Sequence, residues 1–364
     1  MRRWPIVALV CVAWACGSNA DNTKTTGDSS KVAASTTGGA SGADLNGAGA
    51  TFPYPIYDKW FKEYSSKANV NINYQPIGSG GGVKQLQEQT VDFGASDAPM
   101  SDAELQAAKG GPVVHFPTVI GAVAIAYNLP GVTQPIRLTG PVLADIFLGT
   151  INKWNDTRIA ALNAGVRLPA TDVLVAHRSD GSGTTFMFSD YLSTVSPAWK
   201  TGPGKGKDLQ WPVGLGGKGN DGVAGVIKQT AGGVGYVELA YAKQNNLPTA
   251  LLQNAAGQFV APSVEGATAA AAGAAEKLGA NTDYRISIVN APGAQAYPIA
   301  SMTWLLVYKT MPNAAKAKKL TDFMKWMYLT GEQEVSTLFY APLPPSLVSR
   351  LTARVDSLAA GSPK

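Results

Sequence analysis

Cysteine and histidine are scarce in this sequence. Its 364 residues include two Cys and two His, which are too few for a zinc site or a two-metal phosphatase centre. One of the two histidines, His115, lies in a β-like run and is expected to pack in the core. We therefore predict neither a metal ion nor another cofactor.

Charged residues and long apolar runs are also few. Charged side chains make up 15% of the chain, and the net charge of +5 contains no basic block, so nucleic acid is not an expected partner. Beyond the N-terminus, the most apolar stretch covers residues 119–127 and has only the length of a strand. Hydrophobic residues at 45% are typical of a globular protein, which argues against disorder in the body of the chain.

The motifs of nucleotide-binding and hydrolytic enzymes are missing or incomplete. Residues 214–219 match G-x-G-x-x-G, but a poor strand precedes them and no acid marks a ribose site. A P-loop is excluded because Lys218 is followed by Gly instead of Ser or Thr. Ser182 lies outside a G-x-S-x-G elbow and has no evident base partner. The sequence therefore argues against an enzyme.

The N-terminus has the pattern of an export signal. Arg2 and Arg3 precede an apolar run over residues 4–15, which is too short to span a bilayer. We therefore predict a signal peptide over residues 1–15.

The apolar run ends Ala-Trp-Ala-Cys-Gly, and small residues before a Cys resemble the lipobox of bacterial lipoproteins. We predict lipidation at Cys16, followed by a Ser/Thr/Gly-rich tether over residues 16–43. Cleavage without lipidation is the alternative. Either outcome implies a location in the periplasm or cell envelope, with the membrane reached only through the anchor.

From Asp44 onward, strand-like and helix-like patterns alternate, which predicts layered α/β structure. The length suits two α/β lobes. Helical patterns cover residues 57–64, 83–89, 141–148, 184–192, 267–280 (an Ala-rich surface helix) and 315–329. Strand patterns cover residues 70–74, 113–127 (a broken run), 173–176, 235–239, 286–289 and 302–308.

Three segments share one design, in which a turn of small residues and a hydroxyl precede a helix. In the first, Thr51 is expected to cap the helix and Pro53 to lie in its first turn. In the second, Ser79 lies among glycines that let the backbone approach a bound group closely. The third carries Arg178 and opens its helix at Ser182-Gly183-Thr184.

One such segment alone is typical of a capped helix after a turn. Three of them with a guanidinium favour a site for a tetrahedral oxyanion. The fork of Arg178 suits two oxygens of one phosphate, and Asp180 is expected to orient it.

Asp97 is the residue expected to select the anion. Phosphate keeps at least one proton near neutral pH and can donate it to a carboxylate, whereas sulfate has none. A buried unmatched contact costs about 1–3 kcal/mol, so sulfate should be rejected. Nearby Asp92 is expected only to cap or solvate a turn.

Long strings over residues 45–344 resemble the phosphate-binding proteins (PstS type) of bacterial high-affinity phosphate ABC transporters. The strings are GAGATFPYPIYDKW, IGSGGGVKQ, VDFGASDAPMSD, FPTVIGAVAIAYNLPG, DGSGTTFMFSDYL, WPVGLGGKGNDGV and GYVELAYAKQNNL.

The resemblance implies a role for each matching residue. The implied phosphate ligands are Thr51, Phe52, Ser79, Asp97, Arg178, Ser182, Gly183 and Thr184, with Asp180 holding Arg178. Two positions depart from the family pattern. Gly80 stands where a second Ser is common, and His177 stands where a second Arg is common, which lowers the local positive potential.

The resemblance also implies the two-lobed periplasmic-binding-protein fold (type II), with two chain crossovers. Lobe one is expected over residues 44–123 and 298–364, and lobe two over 124–297. The implied function is to bind inorganic phosphate as a monomer and deliver it to the permease and ATPase of an ABC importer. A receptor for another protonated oxyanion such as arsenate, or a phosphate-ester hydrolase, is the alternative.

Overall fold

The structure, a computed structural model, describes residues 44–277 and 282–360. The predicted signal peptide, the lipidation site Cys16 and the tether up to residue 43 lie outside the described residues. The described residues belong to one compact unit. None of the helices in this part of the chain is both long and apolar enough to cross a bilayer.

Helices and strands alternate along most of the described chain. The strands are β1 (Leu45–Gly49), β2 (Ile72–Gln75), β3 (Phe93–Ser96), β4 (Val113–Tyr127), β5 (Arg137–Leu138), β6 (Leu174–Arg178), β7 (Leu215–Gly217), β8 (Gly233–Glu238), β9 (Leu251–Gln253), β10 (Phe259–Val260), β11 (Ala300–Tyr308), β12 (Thr310–Met311) and β13 (Ala359–Ala360). The α-helices are α1 (Tyr54–Ala68), α2 (Ser79–Gln87), α3 (Asp102–Gln106), α4 (Gly140–Phe147), α5 (Thr157–Leu162), α6 (Gly183–Val195), α7 (Pro197–Thr201), α8 (Gly219–Gln229), α9 (Leu239–Gln244), α10 (Val264–Gly273), α11 (Ala314–Leu329) and α12 (Pro345–Asp356), and 3-10 helices cover Ala275–Lys277 and Gly331–Leu338. The predicted α/β class is confirmed.

The main sheet has the strand order β2-β1-β3-β11-β4-β8-β6-β7. Its long strand β4 pairs with a different neighbour along each half of its length. Up to Ala122, β4 pairs antiparallel with β11. From Val123 onward it pairs antiparallel with β8. We call β2, β1, β3, β11 and the start of β4 the first half-sheet. The end of β4 with β8, β6 and β7 forms the second half-sheet.

The run predicted as a broken strand is one continuous strand, β4. Pro117 and Gly121 interrupt its β pattern in the sequence. Pro117 lacks a backbone N–H, and the partner strand β11 shifts register between Thr303 and Trp304, opposite this proline. Thr303 pairs with Val119 and Trp304 with Pro117, so the extra residue of the bulge, Thr118, lies in β4.

Helix α1 packs against the first half-sheet with an aromatic face. Tyr57, Trp60, Phe61 and Tyr64 recur at helical spacing and are all buried. The Phe61 ring lies 5.3 Å from that of Phe323 in α11. The predicted helices at these two places are confirmed.

Two element predictions are wrong in type or place. Residues 286–289 form a loop, which follows positive φ angles at Asp283 and Tyr284 and pairs with none of the described strands. The Ala-rich helix ends at Gly273, and Ala267 and Ala270 are buried against the sheet. Small side chains let the buried face of this helix lie close to β4 and β11, whereas Glu265, Thr268 and Ala272 on its other face are exposed, so it is a surface helix with other bounds than predicted.

Candidate functional site

The predicted site residues lie where several strands end and helices begin. Thr51 follows β1, Asp97 follows β3, and Arg178 is the last residue of β6. Helices α2 and α6 begin at the same edge of the sheet. Ligands of open α/β sheets bind at such carboxyl ends of strands.

Ser79 and Asp97 form the part of the site that the first half-sheet contributes. Helix α2 begins at Ser79, as predicted, after Gly78 with a φ of 90°. A side chain at Gly78 would lie 2.3 Å from Asp180 Oδ2, so the glycine permits this approach. The Asp97 amide donates to Ser79 Oγ at 3.2 Å.

The Asp97 carboxyl is almost fully buried, with 1% exposure. Thr303 Oγ1 donates to its Oδ1 at 2.8 Å, and Ser79 Oγ donates to its Oδ2 at 3.4 Å. Burial raises the pKa of Asp97 to about 7, although the hydrogen bond from Thr303 and the charge of Arg178 oppose the shift. A buried carboxyl of this kind can exchange a proton with a ligand near neutral pH.

Arg178 and Asp180 form a bidentate pair in the second half-sheet. Arg178 Nε donates to Asp180 Oδ1 at 2.7 Å, and Nη2 donates to Oδ2 at 2.5 Å. Burial alone would raise the pKa of Asp180, but its bonds to Arg178 keep it below the ordinary value. The pair fixes the guanidinium with Nη1 3.4 Å from Thr184 Oγ1, as the predicted orienting role of Asp180 requires.

The N-terminus of α6 faces the first half-sheet. Ser182 caps it by accepting from the Thr185 amide at 3.0 Å, as predicted. A side chain added at Gly183 would lie 2.6 Å from both Asp97 Cβ and Ser79 Oγ. The second and third predicted segments therefore meet at one point, where the free N–H groups of a helix start favour an anion.

Thr51 does not cap α1, so that prediction is wrong. Pro53 holds the N-cap position, and no side chain caps the helix. Thr51 Oγ1 instead accepts from Asn220, at 2.9 Å from the side-chain amide and 3.2 Å from the backbone amide. The Asn220 side-chain amide also donates to Thr184 Oγ1 at 3.2 Å. The Thr51 hydroxyl is thus turned across the cleft toward Thr184.

Sequence reasoning assigned no role to Asn220 or Thr303. Asn220 lies in the first turn of α8 after a Gly-rich turn, the same local design as the three predicted segments. The Gly-rich turn before a helix is therefore a local signal that could have identified Asn220. Thr303 lies within β11 and has no local signal, because its contact with Asp97 joins residues far apart in sequence.

Contacts across the cleft close the site. Gly80 N donates to the Gly181 carbonyl at 2.8 Å, and the Tyr241 hydroxyl donates to the Thr51 carbonyl at 2.6 Å. On the side of the first half-sheet, Phe52 is buried, and its carbonyl accepts from the Tyr340 hydroxyl at 2.6 Å. All predicted ligand residues therefore converge on one buried place between the half-sheets.

Neither histidine is among the predicted ligand residues, and both have packing contacts. His115 is buried with Nδ1 2.7 Å from Asp283 Oδ2, and burial lowers its pKa. The His177 ring stacks on Trp211 at 4.7 Å. Among the described residues, no group of His, Cys, Asp and Glu could hold a metal ion.

Comparison with known proteins places the chain in a family. A family model described as a PBP superfamily domain matches residues 33–330. The phosphate-binding protein PstS of Xylella fastidiosa (strain 9a5c) is 48% identical over 310 residues, which cover 85% of this chain and 84% of the relative. PstS of Haemophilus influenzae is 45% identical over 313 residues, covering 85% and 92%.

The chain belongs to the PstS family of phosphate-binding proteins. Solved structures agree with the fold of this family. The high-affinity periplasmic phosphate-binding protein PfluDING, bound with phosphate, has a TM-score of 0.67 at 22% identity and covers 85% of this chain and 93% of its own. A human phosphate-binding apolipoprotein has a TM-score of 0.70 at 20% identity, covering 88% and 100%. The expected two-lobed periplasmic-binding-protein fold is thus confirmed.

Proposed function

We propose that this chain binds inorganic phosphate between two lobes and delivers it to a membrane ABC importer. The names of its relatives support phosphate as the ligand. The proposed ligand residues are Thr51, Phe52, Ser79, Asp97, Arg178, Ser182, Gly183 and Thr184, with Asp180 supporting Arg178.

The observation that carries this proposal is a buried carboxyl beside a buried guanidinium. Arg178 and the N-terminus of α6 attract an anion, whereas Asp97 in its ionised form, above its pKa of about 7, repels any oxygen that carries no proton. An ion that satisfies both must be negative and must also donate a hydrogen bond. Phosphate meets this condition near neutral pH and sulfate does not.

The lobes are proposed as residues 44–123 with 298–364, and residues 124–297. The change of partner strand between Ala122 and Val123 in β4 supports the first crossover. Hydrogen bonds from Asn220 and Tyr241 to Thr51 then join the two lobes at the ligand. A phosphate held by both lobes would stabilise the closed form.

The chain is further proposed to act as a monomer in the periplasm or cell envelope, anchored through Cys16 after removal of the signal peptide. Its partners would be the permease subunits and the ATPase of the transporter. Mass spectrometry of the mature protein from membranes tests the anchor. A lipid on Cys16 is the expected result, and an unmodified soluble protein contradicts it.

Calorimetric titration with phosphate, sulfate and arsenate tests the proposed function. We expect micromolar or tighter binding of phosphate and no heat of binding with sulfate. Arsenate also carries a proton, so it should bind at the same place, and its relative affinity distinguishes the second candidate, an arsenate receptor. Failure of phosphate to bind would refute the proposal.

The chain is proposed to act without catalysis. An assay of p-nitrophenyl phosphate hydrolysis, with and without added divalent metals, separates it from a phosphate-ester hydrolase. We expect no turnover, and sustained release of p-nitrophenol would contradict the proposal.

A further inference from the structure

A second buried carboxyl, that of Glu238, lies next to the proposed site but outside its ligand set. Glu238 is the last residue of β8 and has 0% exposure. It pairs with Val123, the residue at which β4 enters the second half-sheet. Its backbone amide donates to Asn220 Oδ1 at 2.9 Å, so the residue already positions a side chain that bridges to Thr51.

The Glu238 carboxyl reaches across to the first half-sheet. Its Oε2 accepts from the Ala240 amide at 2.7 Å, which caps α9. The same oxygen lies 3.2 Å from the Tyr340 hydroxyl. Its Oε1 is buried and has no hydrogen-bond partner among the described residues. No ion pair with Lys, Arg or His occurs at Glu238 in this part of the chain.

The Tyr340 hydroxyl has one proton and two oxygen neighbours. The Phe52 carbonyl, at 2.6 Å, can only accept, so the Tyr340 proton belongs to this shorter contact. The oxygen of Tyr340 then faces Oε2 of Glu238 with its lone pairs. The contact is favourable only when the carboxyl supplies the proton.

We propose that Glu238 is a positioning residue, whose protonated carboxyl donates to Tyr340 and so fixes the Phe52 carbonyl and the Thr51–Phe52 loop for the oxyanion. This inference rests on the proposed phosphate-binding function. It differs from the role of Asp97, because Glu238 touches no proposed ligand group of the anion directly. It acts through Tyr340, whose ring packs edge-on against Phe52 at 6.2 Å.

The groups around Glu238 favour its neutral form. Burial raises the pKa of Glu238 well above the ordinary value, the hydrogen bonds with Ala240 and Tyr340 oppose this, and the charge of Asp97 adds to the rise. Tyr340 and Tyr241 are the other titratable groups that face it, and burial raises the pKa of both. A carboxyl with a raised pKa holds its proton in the closed form and loses it as pH rises. Ionised Glu238 would repel the Tyr340 oxygen, so phosphate affinity should fall at alkaline pH.

Infrared difference spectroscopy tests the proton directly. At neutral pH the protein should show the carbonyl stretch of a protonated carboxyl that is lost in Glu238→Gln and retained in Asp97→Asn and Glu332→Gln. In Tyr340→Phe the band should shift, because the acceptor of the proton is removed. Absence of a band that depends on Glu238, or a band indifferent to Tyr340→Phe, overturns the proposal.

Phosphate titration tests the positioning role. Tyr340→Phe should weaken phosphate binding by roughly threefold to tenfold, the effect of losing one buried hydrogen bond. Glu238→Ala should weaken phosphate binding by a similar factor. The double variant should weaken it by no more than the larger single effect, because Glu238 acts on Phe52 only through Tyr340. Additive losses, or single variants that bind phosphate like the wild type, contradict the proposal.

Glu238→Gln separates positioning from packing. It keeps the volume and a donor, so it should recover most of the affinity lost in Glu238→Ala and remove the alkaline decline that depends on Glu238. Glu332→Gln is the matched control. Glu332 is also a buried carboxyl, and burial raises its pKa to about 8. Its carboxyl accepts from the Leu343 amide, on the same side of the cleft as Glu332 itself. The control should leave affinity unchanged. If the wild type binds no phosphate, the proposed function fails, whereas the infrared band still decides the bond between Glu238 and Tyr340.

Discussion

In the proposed function, Asp97 is the residue that selects the anion. Its carboxyl receives hydrogen bonds from Thr303 and Ser79 and lies within the field of Arg178. A ligand bound here must accept hydrogen bonds from the Arg178 cation and donate one to the Asp97 carboxylate. The sequence alone suggested this role, because an Asp beside Gly-rich helix starts has little purpose in an anion site unless the anion carries a proton.

The first prediction concerns selectivity. In Asp97→Asn the side-chain amide can donate to a sulfate oxygen, which carries no proton. The unmatched contact between sulfate and the Asp97 carboxylate therefore disappears. That contact costs about 1–3 kcal/mol, so sulfate affinity should rise roughly 5- to 150-fold. Phosphate can still donate to the amide oxygen and should lose less than about tenfold. Calorimetric titration with both ions measures the change.

Asp92→Asn is the control for this experiment. Asp92 lies in the same segment, but it bonds to the Asn46 amide and to Lys316, away from the site. Its replacement should leave both affinities unchanged. Equal binding of phosphate and sulfate by the wild type would contradict the role of Asp97.

The second prediction concerns pH and the free protein. Burial raises the pKa of Asp97 from 3.8 to about 7 in the folded state, so the folded chain holds a proton that the unfolded chain has released. The free energy of unfolding should therefore fall as pH rises from about 4 to about 7. In Asp97→Asn this part of the decline should be missing. Urea unfolding of both proteins without phosphate measures it, and parallel pH profiles would contradict the assignment.

At the scale of helices and loops, the site depends on helix starts that touch across the cleft. The starts of α2 and α6 were predictable, because Gly, Ser and Thr in a turn are local signals. The place of Thr51 was not, since its hydroxyl is held by Asn220, distant in sequence. The apolar run at residues 286–289 predicts a strand but forms a loop, because nothing local reveals whether an apolar run finds a partner strand.

The third prediction concerns the start of α6. Gly183→Ala places a methyl group 2.6 Å from Asp97 Cβ and Ser79 Oγ, so the two half-sheets cannot approach fully. Overpacking costs about 1–3 kcal/mol, and phosphate affinity should fall roughly tenfold or more. Fluorescence or calorimetric titration measures the loss.

Gly225→Ala in α8 is the matched control. A methyl group there meets no atom within 4 Å, and Ala favours a helix interior over Gly by about 0.5–1 kcal/mol. This variant should bind phosphate like the wild type and unfold at a slightly higher denaturant concentration. If Gly183→Ala also binds normally, the closed contact seen here does not matter for the ligand.

At the scale of the whole molecule, one strand, β4, joins the two half-sheets. Long strings in the sequence implied the fold through a resemblance, but the strand order follows from pairings between distant segments that no pattern reveals. Because the site takes residues from both half-sheets, the bound anion should act as a link between them.

The fourth prediction follows from this link. Phosphate that binds only the folded chain should add about 2.7 kcal/mol to its free energy of unfolding at a free concentration of 100 times Kd. Sulfate at the same concentration should add almost nothing. Urea unfolding with each ion measures the difference, and equal stabilisation by both ions would contradict specific binding.

A crystal structure of the chain grown with phosphate tests the central claim most directly. We predict one phosphate between the half-sheets, with oxygens within hydrogen-bond distance of Arg178, Ser79 and the start of α6, and one oxygen facing Asp97. A phosphate bound elsewhere, or one that leaves Asp97 without a contact, would contradict the account.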